Sequence, residues 1–120
     1  MLLICYPRCN TCKKAQKWLD EKGIPYTYRD IKEDNPSLEE LTMWYEKSGL
    51  DIKRFFNTSG QLYKSMQLKD KLRSMSTQEK LELLSTDGML VKRLIVAADD
   101  LILVGFKEEE WAEKLLHNRG

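Results

Sequence analysis

The sequence predicts one α/β domain in which a strand–helix–strand unit, about residues 1–34, is followed by a helical insertion, about 35–88. A strand–strand–helix unit, about 89–120, completes it, and the four strands form one mixed sheet. Three observations carry this expectation. Short apolar or β-branched runs, of strand rather than helix length, fall only near the two ends of the chain. The stretch between them carries two helix-capping signatures, Ser37-Leu38-Glu39-Glu40 and Ser76-Thr77-Gln78-Glu79, each pairing a Ser with a Glu three residues later. A length of 120 residues has room for one core and not comfortably for two.

Residues 2–6 are an apolar run that turns at Pro7, which fits a buried strand. Asn10 or Thr11 is then expected to cap a helix running to Lys22, with Ala15, Trp18 and Leu19 on its buried face. Gly23 stops that helix, and Ile24-Pro25 leads into a second strand over 25–31, rich in Tyr and Thr. Strand, helix and strand with short links form a βαβ unit, so these two strands should be parallel. From Ser37 a helix runs to about Lys47 and closes at Ser48-Gly49. Shorter helical pieces over 50–56 and 62–74 flank an Asn57-Thr58-Ser59-Gly60 turn, and a further helix runs from Ser76 to Leu84. The insertion is expected to be helical throughout. Residues 90–97 and 101–104 read as an antiparallel hairpin around Ala98-Asp99-Asp100. A last helix follows Gly105-Phe106, with Glu108, Glu109 and Glu110 in its first turn and Lys114, His117 and Arg119 at its end, matching the helix dipole. This order is the thioredoxin arrangement with a helical insertion in its middle.

Composition narrows the function. Lys plus Arg total 20 against 19 Asp plus Glu, a net charge of +1, which removes the basic excess expected of a protein that binds nucleic acid directly. No apolar run approaches the roughly 18–20 residues of a membrane span, and the N-terminus lacks the basic flank and apolar length of a signal peptide. A cytoplasmic protein is expected. The single histidine, His117, lies near the C-terminus, away from any rigid histidine-centred triad. Three cysteines and one terminal histidine make a poor zinc site, so no metal is expected.

The chemistry is expected at Cys9-Asn10-Thr11-Cys12, where the first strand passes into the first helix. Unpaired N–H groups at a helix start carry partial positive charge, and a thiol there is stabilised as thiolate. Arg8, Lys13 and Lys14 add positive potential. Cys9, in the exposed loop just before the helix, is the expected nucleophile. Cys12, one turn on, is the expected resolving thiol. Cys5, inside the first strand, reads as a small buried core residue.

The stretch Tyr6-Pro7-Arg8-Cys9-Asn10-Thr11-Cys12-Lys13-Lys14-Ala15 resembles the opening of the arsenate reductase (ArsC) family, which also holds the Spx-type regulators. Gly23-Ile24-Pro25-Tyr26, Leu90-Val91-Lys92-Arg93 and Val104-Gly105-Phe106 recur at that family's expected places, so the likeness spans nearly the whole chain. The resemblance implies a thioredoxin-like fold with a helical insertion. For the reductase branch it implies a nucleophile at Cys9, an anion site drawing on Arg8, Asn10, Thr11 and Arg93, and no bound cofactor. Glutathione with glutaredoxin, or thioredoxin, would then be the electron donor. For the regulator branch it implies a redox switch and binding to the C-terminal domain of the RNA polymerase α-subunit, with Gly49 at the contact. The sequence departs from the family pattern at three places. Cys12 stands where reductases often have serine, no arginine stands near 57–60, and Leu94 replaces the usual cis-proline after Arg93. A cis bond before a non-proline residue costs roughly 2.5–4 kcal/mol, so a trans Arg93–Leu94 bond is expected.

Overall fold

In the computed structural model, which describes residues 1–116, the first strand β1 (Leu2–Cys5) lies inside the sheet rather than at its edge. It pairs in parallel with β2 (Thr27–Asp30), Leu2 opposite Thr27 through Cys5 opposite Asp30. On its other side it pairs antiparallel with β3 (Ile95–Ala97), which in turn pairs antiparallel with β4 (Ile102–Val104). The strand order is β2-β1-β3-β4, a mixed four-stranded sheet as the sequence predicts. The parallel β1–β2 pair needs a crossover, supplied by α1 (Asn10–Glu21).

Side chains alternate across a strand, so the register sorts the apolar residues into two layers. Leu3, Val96 and Leu103 stand opposite one another on one face. Together with Cys5 they pack on Cys12, Ala15, Trp18 and Leu19 of α1 and on Trp111 of α6 (Glu108–Trp111). Ile4, Ile95 and Val104 form the matching row on the other face and pack beneath the insertion on Leu41, Trp44 and Phe55. Trp111 is fully buried, edge-on to Trp18 and Phe106 at centroid distances of 5.9 and 4.7 Å, and its indole N–H donates to the Gly105 carbonyl (3.1 Å). A π-helical turn, Ala112–Leu116, follows it. The expected placements of His117 and Arg119 lie outside the described residues.

Both capping boxes form. Ser37 and Glu40 open α2 (Leu38–Ser48), and Ser76 and Glu79 open α5 (Thr77–Leu84). Between them lie α3 (Gln61–Ser65), α4 (Leu68–Lys71) and 3₁₀ turns at Ile52–Phe55 and Leu72–Ser74. The insertion is not helical throughout, however. Phe56 makes an antiparallel bridge with Val91, Lys92 N–H donates to the Phe55 carbonyl, and Asn57 N–H donates to the Leu90 carbonyl. These bonds also explain why β3 begins at Ile95 rather than Leu90: residues 90–92 pair with the insertion instead of with β1. Arg29 of β2 ties the core to α2, its guanidinium donating to both Glu40 carboxylate oxygens (2.6 and 2.8 Å) and to the Asp34 and Asn35 carbonyls. At the far end of the insertion Gly88 lies against the Ile31 carbonyl, which a Cβ at position 88 would overlap. Among the described residues no helix is long and apolar enough to cross a membrane.

Candidate active site

The turn after β1 brings the chain back on itself before α1 begins. Cys9 N–H donates to the Tyr6 carbonyl (3.0 Å), and Lys13 N–H closes the first helical turn on the Cys9 carbonyl (3.1 Å). The N-cap is therefore Cys9, with extended backbone and no side-chain cap bond, rather than the expected Asn10 or Thr11. The physical reason is the Tyr6–Cys9 turn, which fixes the helix start one residue earlier than side-chain capping preference suggests.

From this start the three cysteines fall into a gradient of burial. Cys12, Ala15 and Leu19 share the helical stripe that faces the sheet, and Cys12 is only 1% exposed. Cys5, at the end of β1 on the same side of the sheet, is fully buried. Cys9 is half-buried and borders the exposed residues Arg8, Asn10 and Thr11. None of the three is in a disulfide.

The donors of this corner converge on Cys12. Its sulfur faces the Cys5 thiol and accepts the Tyr6 N–H at 3.4 Å. The Cys5 thiol is the largest of the effects that lower the Cys12 thiol to about 7. Burial opposes that shift, while the Tyr6 N–H, the Cys9 thiol and the Arg93 charge support it. Cys5 moves the opposite way, far above the ordinary thiol range, because it donates to Cys12, is desolvated, and faces the negative sulfur. The buried pair thus keeps its proton on Cys5 and its charge on Cys12. The thiol that is lowered is Cys12 rather than the expected nucleophile, and the groups that lower it are the Cys5 and Cys9 thiols, the Tyr6 N–H and Arg93.

Arg93 reaches the same corner from the segment before β3. Its guanidinium stacks over the Tyr6 ring, 5.1 Å from the centroid, which holds a positive charge beside the cysteines. The Arg93–Leu94 bond is cis, against the expected trans form. What local chain preference leaves out is the burial of Leu94, which is fully enclosed in the layer that holds Cys12, and its carbonyl, which accepts Gly105 N–H at 2.7 Å. Gly49 stands apart from this group. It caps the end of α2 with φ 67° and is exposed, and an added Cβ would meet no neighbouring atom within 4 Å.

Cys5 is buried core, as the sequence predicts; what the sequence reading leaves out is that its thiol faces Cys12 and that the Tyr6 backbone N–H reaches the Cys12 sulfur. A signal for Cys5 exists in the pattern. Leu3 and Cys5 alternate onto one face of β1, and Cys12 shares a helical stripe with Ala15 and Leu19, so both thiols point into the same layer.

A βαβ start, an antiparallel pair and a closing helix around a C-x-x-C at the first helix make the fold thioredoxin-like. The chain belongs to the ArsC family, whose family model matches residues 5–114. It is 53% identical over 108 residues to the Bacillus subtilis protein YusI, covering 90% of this chain and 92% of that protein. Over 108 residues it is 26% identical to the global transcriptional regulator Spx of Staphylococcus epidermidis, covering 90% of this chain and 81% of Spx. The structure of an ArsC family related protein from Bacteroides fragilis superposes with a TM-score of 0.91 at 52% identity, covering 93% and 94% of the two chains. That of a possible arsenate reductase from Streptococcus mutans superposes with a TM-score of 0.84 at 40% identity, covering 91% and 94%.

Proposed function

We propose that the chain is an arsenate-reductase-like thiol–disulfide oxidoreductase in which Cys9 attacks and Cys12 resolves. One observation carries this reading. A single helical turn joins a solvent-reachable cysteine to a buried one that accepts the Tyr6 N–H and whose thiol is lowered by the neighbouring Cys5 thiol. In the first step the Cys9 sulfur attacks one sulfur of a substrate disulfide, giving a mixed disulfide and releasing one thiol, which carries off the proton. The Cys12 thiolate then attacks the Cys9 sulfur and expels the second thiolate, so the substrate is reduced by two electrons and a Cys9–Cys12 disulfide remains. Glutathione with glutaredoxin, or thioredoxin, supplies the two electrons that reopen it. The exposed Arg8, Asn10 and Thr11 flank Cys9 along the chain, and Arg93 stacks on the nearby Tyr6 ring; this set suits a substrate carrying carboxylates, as glutathione disulfide does.

Arsenate is a poorer match. The Cys9 sulfur would displace one arsenate hydroxyl as water, and attack by Cys12 on Cys9 would leave the electron pair on arsenic as arsenite. That adduct places an oxyanion beside Cys9, with Arg93 as its charged partner. Thr58 and Ser59 of the 57–60 turn, where the family pattern has an arginine, offer hydroxyls and no charge, and Ser59 already donates to Asn57 Oδ1 at 3.3 Å. A charge-assisted hydrogen bond contributes about 1.5–3 kcal/mol, so the missing arginine costs roughly 10- to 150-fold in binding. The test follows NADPH consumption with glutathione–hydroxyethyl mixed disulfide or arsenate as substrate, coupled to glutaredoxin or to thioredoxin. Disulfide reduction lost in Cys9→Ser supports the reading, as does arsenate turnover that is weak and rises in Ser59→Arg. Wild type no faster than Cys9→Ser on every substrate overturns it.

A second reading draws on the Spx likeness and on Gly49, exposed at the end of α2 with open space around it. Here the cysteine pair is a redox switch, and the α2 end docks on the C-terminal domain of the RNA polymerase α-subunit. A pull-down with that domain that is retained by wild type and lost in Gly49→Arg would favour it.

A further inference from the structure

We propose that Cys5 is a third working thiol, which takes Cys12 over from Cys9 so that oxidation received at the exposed site ends in a buried Cys5–Cys12 disulfide. The inference rests on the Cys9–Cys12 reading above and extends it. Its ground is placement. The end of β1 and the first turn of α1 put Cys5 and Cys12 in the same layer, both without solvent access. The Tyr6 N–H that contacts the Cys12 sulfur belongs to the residue next to Cys5, so the Cys12 sulfur sits against the end of β1. Cys9, by contrast, is half-buried at the mouth of the site.

The step is an internal exchange. The Cys5 sulfur attacks the Cys12 sulfur of the Cys9–Cys12 disulfide, a Cys5–Cys12 bond forms, and Cys9 leaves as thiolate and takes up the proton that Cys5 gives up. No electrons enter or leave, since the oxidising equivalents are those already taken from the substrate disulfide. The reduced and oxidised states also differ in how firmly Cys5 holds its proton. With Cys12 reduced, the negative sulfur facing Cys5 keeps it protonated and inert. Once Cys12 is in a disulfide that charge is gone, and one cause of the elevated Cys5 proton affinity goes with it. The result is a shielded disulfide beneath a regenerated Cys9 thiol, free to accept a second oxidised substrate or to form a mixed disulfide with glutathione.

Trypsin reads the outcome directly. Cleavage after Arg8 and Lys13 leaves a Cys9–Cys12 disulfide inside the peptide of residues 9–13, whereas a Cys5–Cys12 disulfide joins that peptide to residues 1–8. The reduced protein is exposed to glutathione disulfide for increasing times, precipitated in acid, blocked with N-ethylmaleimide in denaturant and digested. The expected course is the internal form first, then the cross-linked form, with maleimide on Cys9. Cys5→Ser should hold the internal form indefinitely, and Cys9→Ser should form the cross-link far more slowly with glutathione disulfide, since Cys12 is enclosed. A stable internal form in wild type, with Cys5 carrying maleimide throughout, overturns the proposal and leaves the Cys9–Cys12 reading intact. A cross-link whose fragment spectrum joins Cys5 to Cys9 also overturns it. Absence of both forms overturns both readings.

Discussion

Replacing Glu40 with Gln probes the joint between the sheet and the insertion. The Glu40 carboxylate receives both terminal nitrogens of Arg29 and also the Ser37 N–H at 3.0 Å. The Arg29 guanidinium beside it is the main reason its carboxyl falls from an ordinary 4.5 to about 2. At 1.36 kcal/mol per pH unit that drop corresponds to about 3.4 kcal/mol. The Glu40 side chain is 31% exposed and Arg29 14%, so solvent screening reduces this to about 2 kcal/mol. A depressed carboxyl stabilises the fold fully above its unfolded pKa, and the contribution is lost as pH falls through the folded value. Here that window runs from about pH 4.5 down to about 2. Urea unfolding of wild type and Glu40→Gln, followed by circular dichroism from pH 7 to pH 2, measures it. The variant should be about 2 kcal/mol less stable at pH 7, and the gap should close toward pH 2. Glutamine keeps an oxygen for the Ser37 N–H but no charge, so a weakened helix cap adds a smaller part to the difference beside the larger Arg29 contribution. A gap that stays constant with pH, or no gap at pH 7, would refute the assignment of this energy to the Arg29 pair.

Two further outcomes follow from burial. Limiting iodoacetamide near pH 6.5 should label Cys9 well ahead of Cys5 and Cys12, since both of those are enclosed; equal labelling of all three by peptide mapping would contradict the burial gradient. Gly88→Ala should cost about 1–3 kcal/mol, read as a lowered urea midpoint, because the new Cβ meets the Ile31 backbone, which cannot rotate away as a side chain would. An unchanged midpoint would mean that the end of the insertion is free to shift.

What could be read from the chain alone was whatever neighbours in sequence decide. Ser37 with Glu40 and Ser76 with Glu79 lie within one helical turn of each other, so both capping boxes form where the pattern places them. Alternation along β1 and the Cys12–Ala15–Leu19 stripe likewise need no knowledge of the rest of the molecule, and the C-x-x-C at a strand-to-helix junction marks the candidate site. The tertiary structure decided what depends on residues far apart in sequence. Residues 90–92 exchange hydrogen bonds with the insertion, Leu90 accepting from Asn57 and Lys92 donating to Phe55, and leave β3 short. Leu94 is enclosed by a layer drawn from α1, β4 and α6, and the bond before it is cis. The charge on Cys12 depends on a thiol seven residues earlier and on Arg93, eighty-one residues later, which meet only after the sheet has closed. Local pattern specifies which elements form. Partners brought together by folding specify where the proton and the charge reside, because electrostatic and hydrogen-bond effects act over a few ångströms of space whatever the separation along the chain.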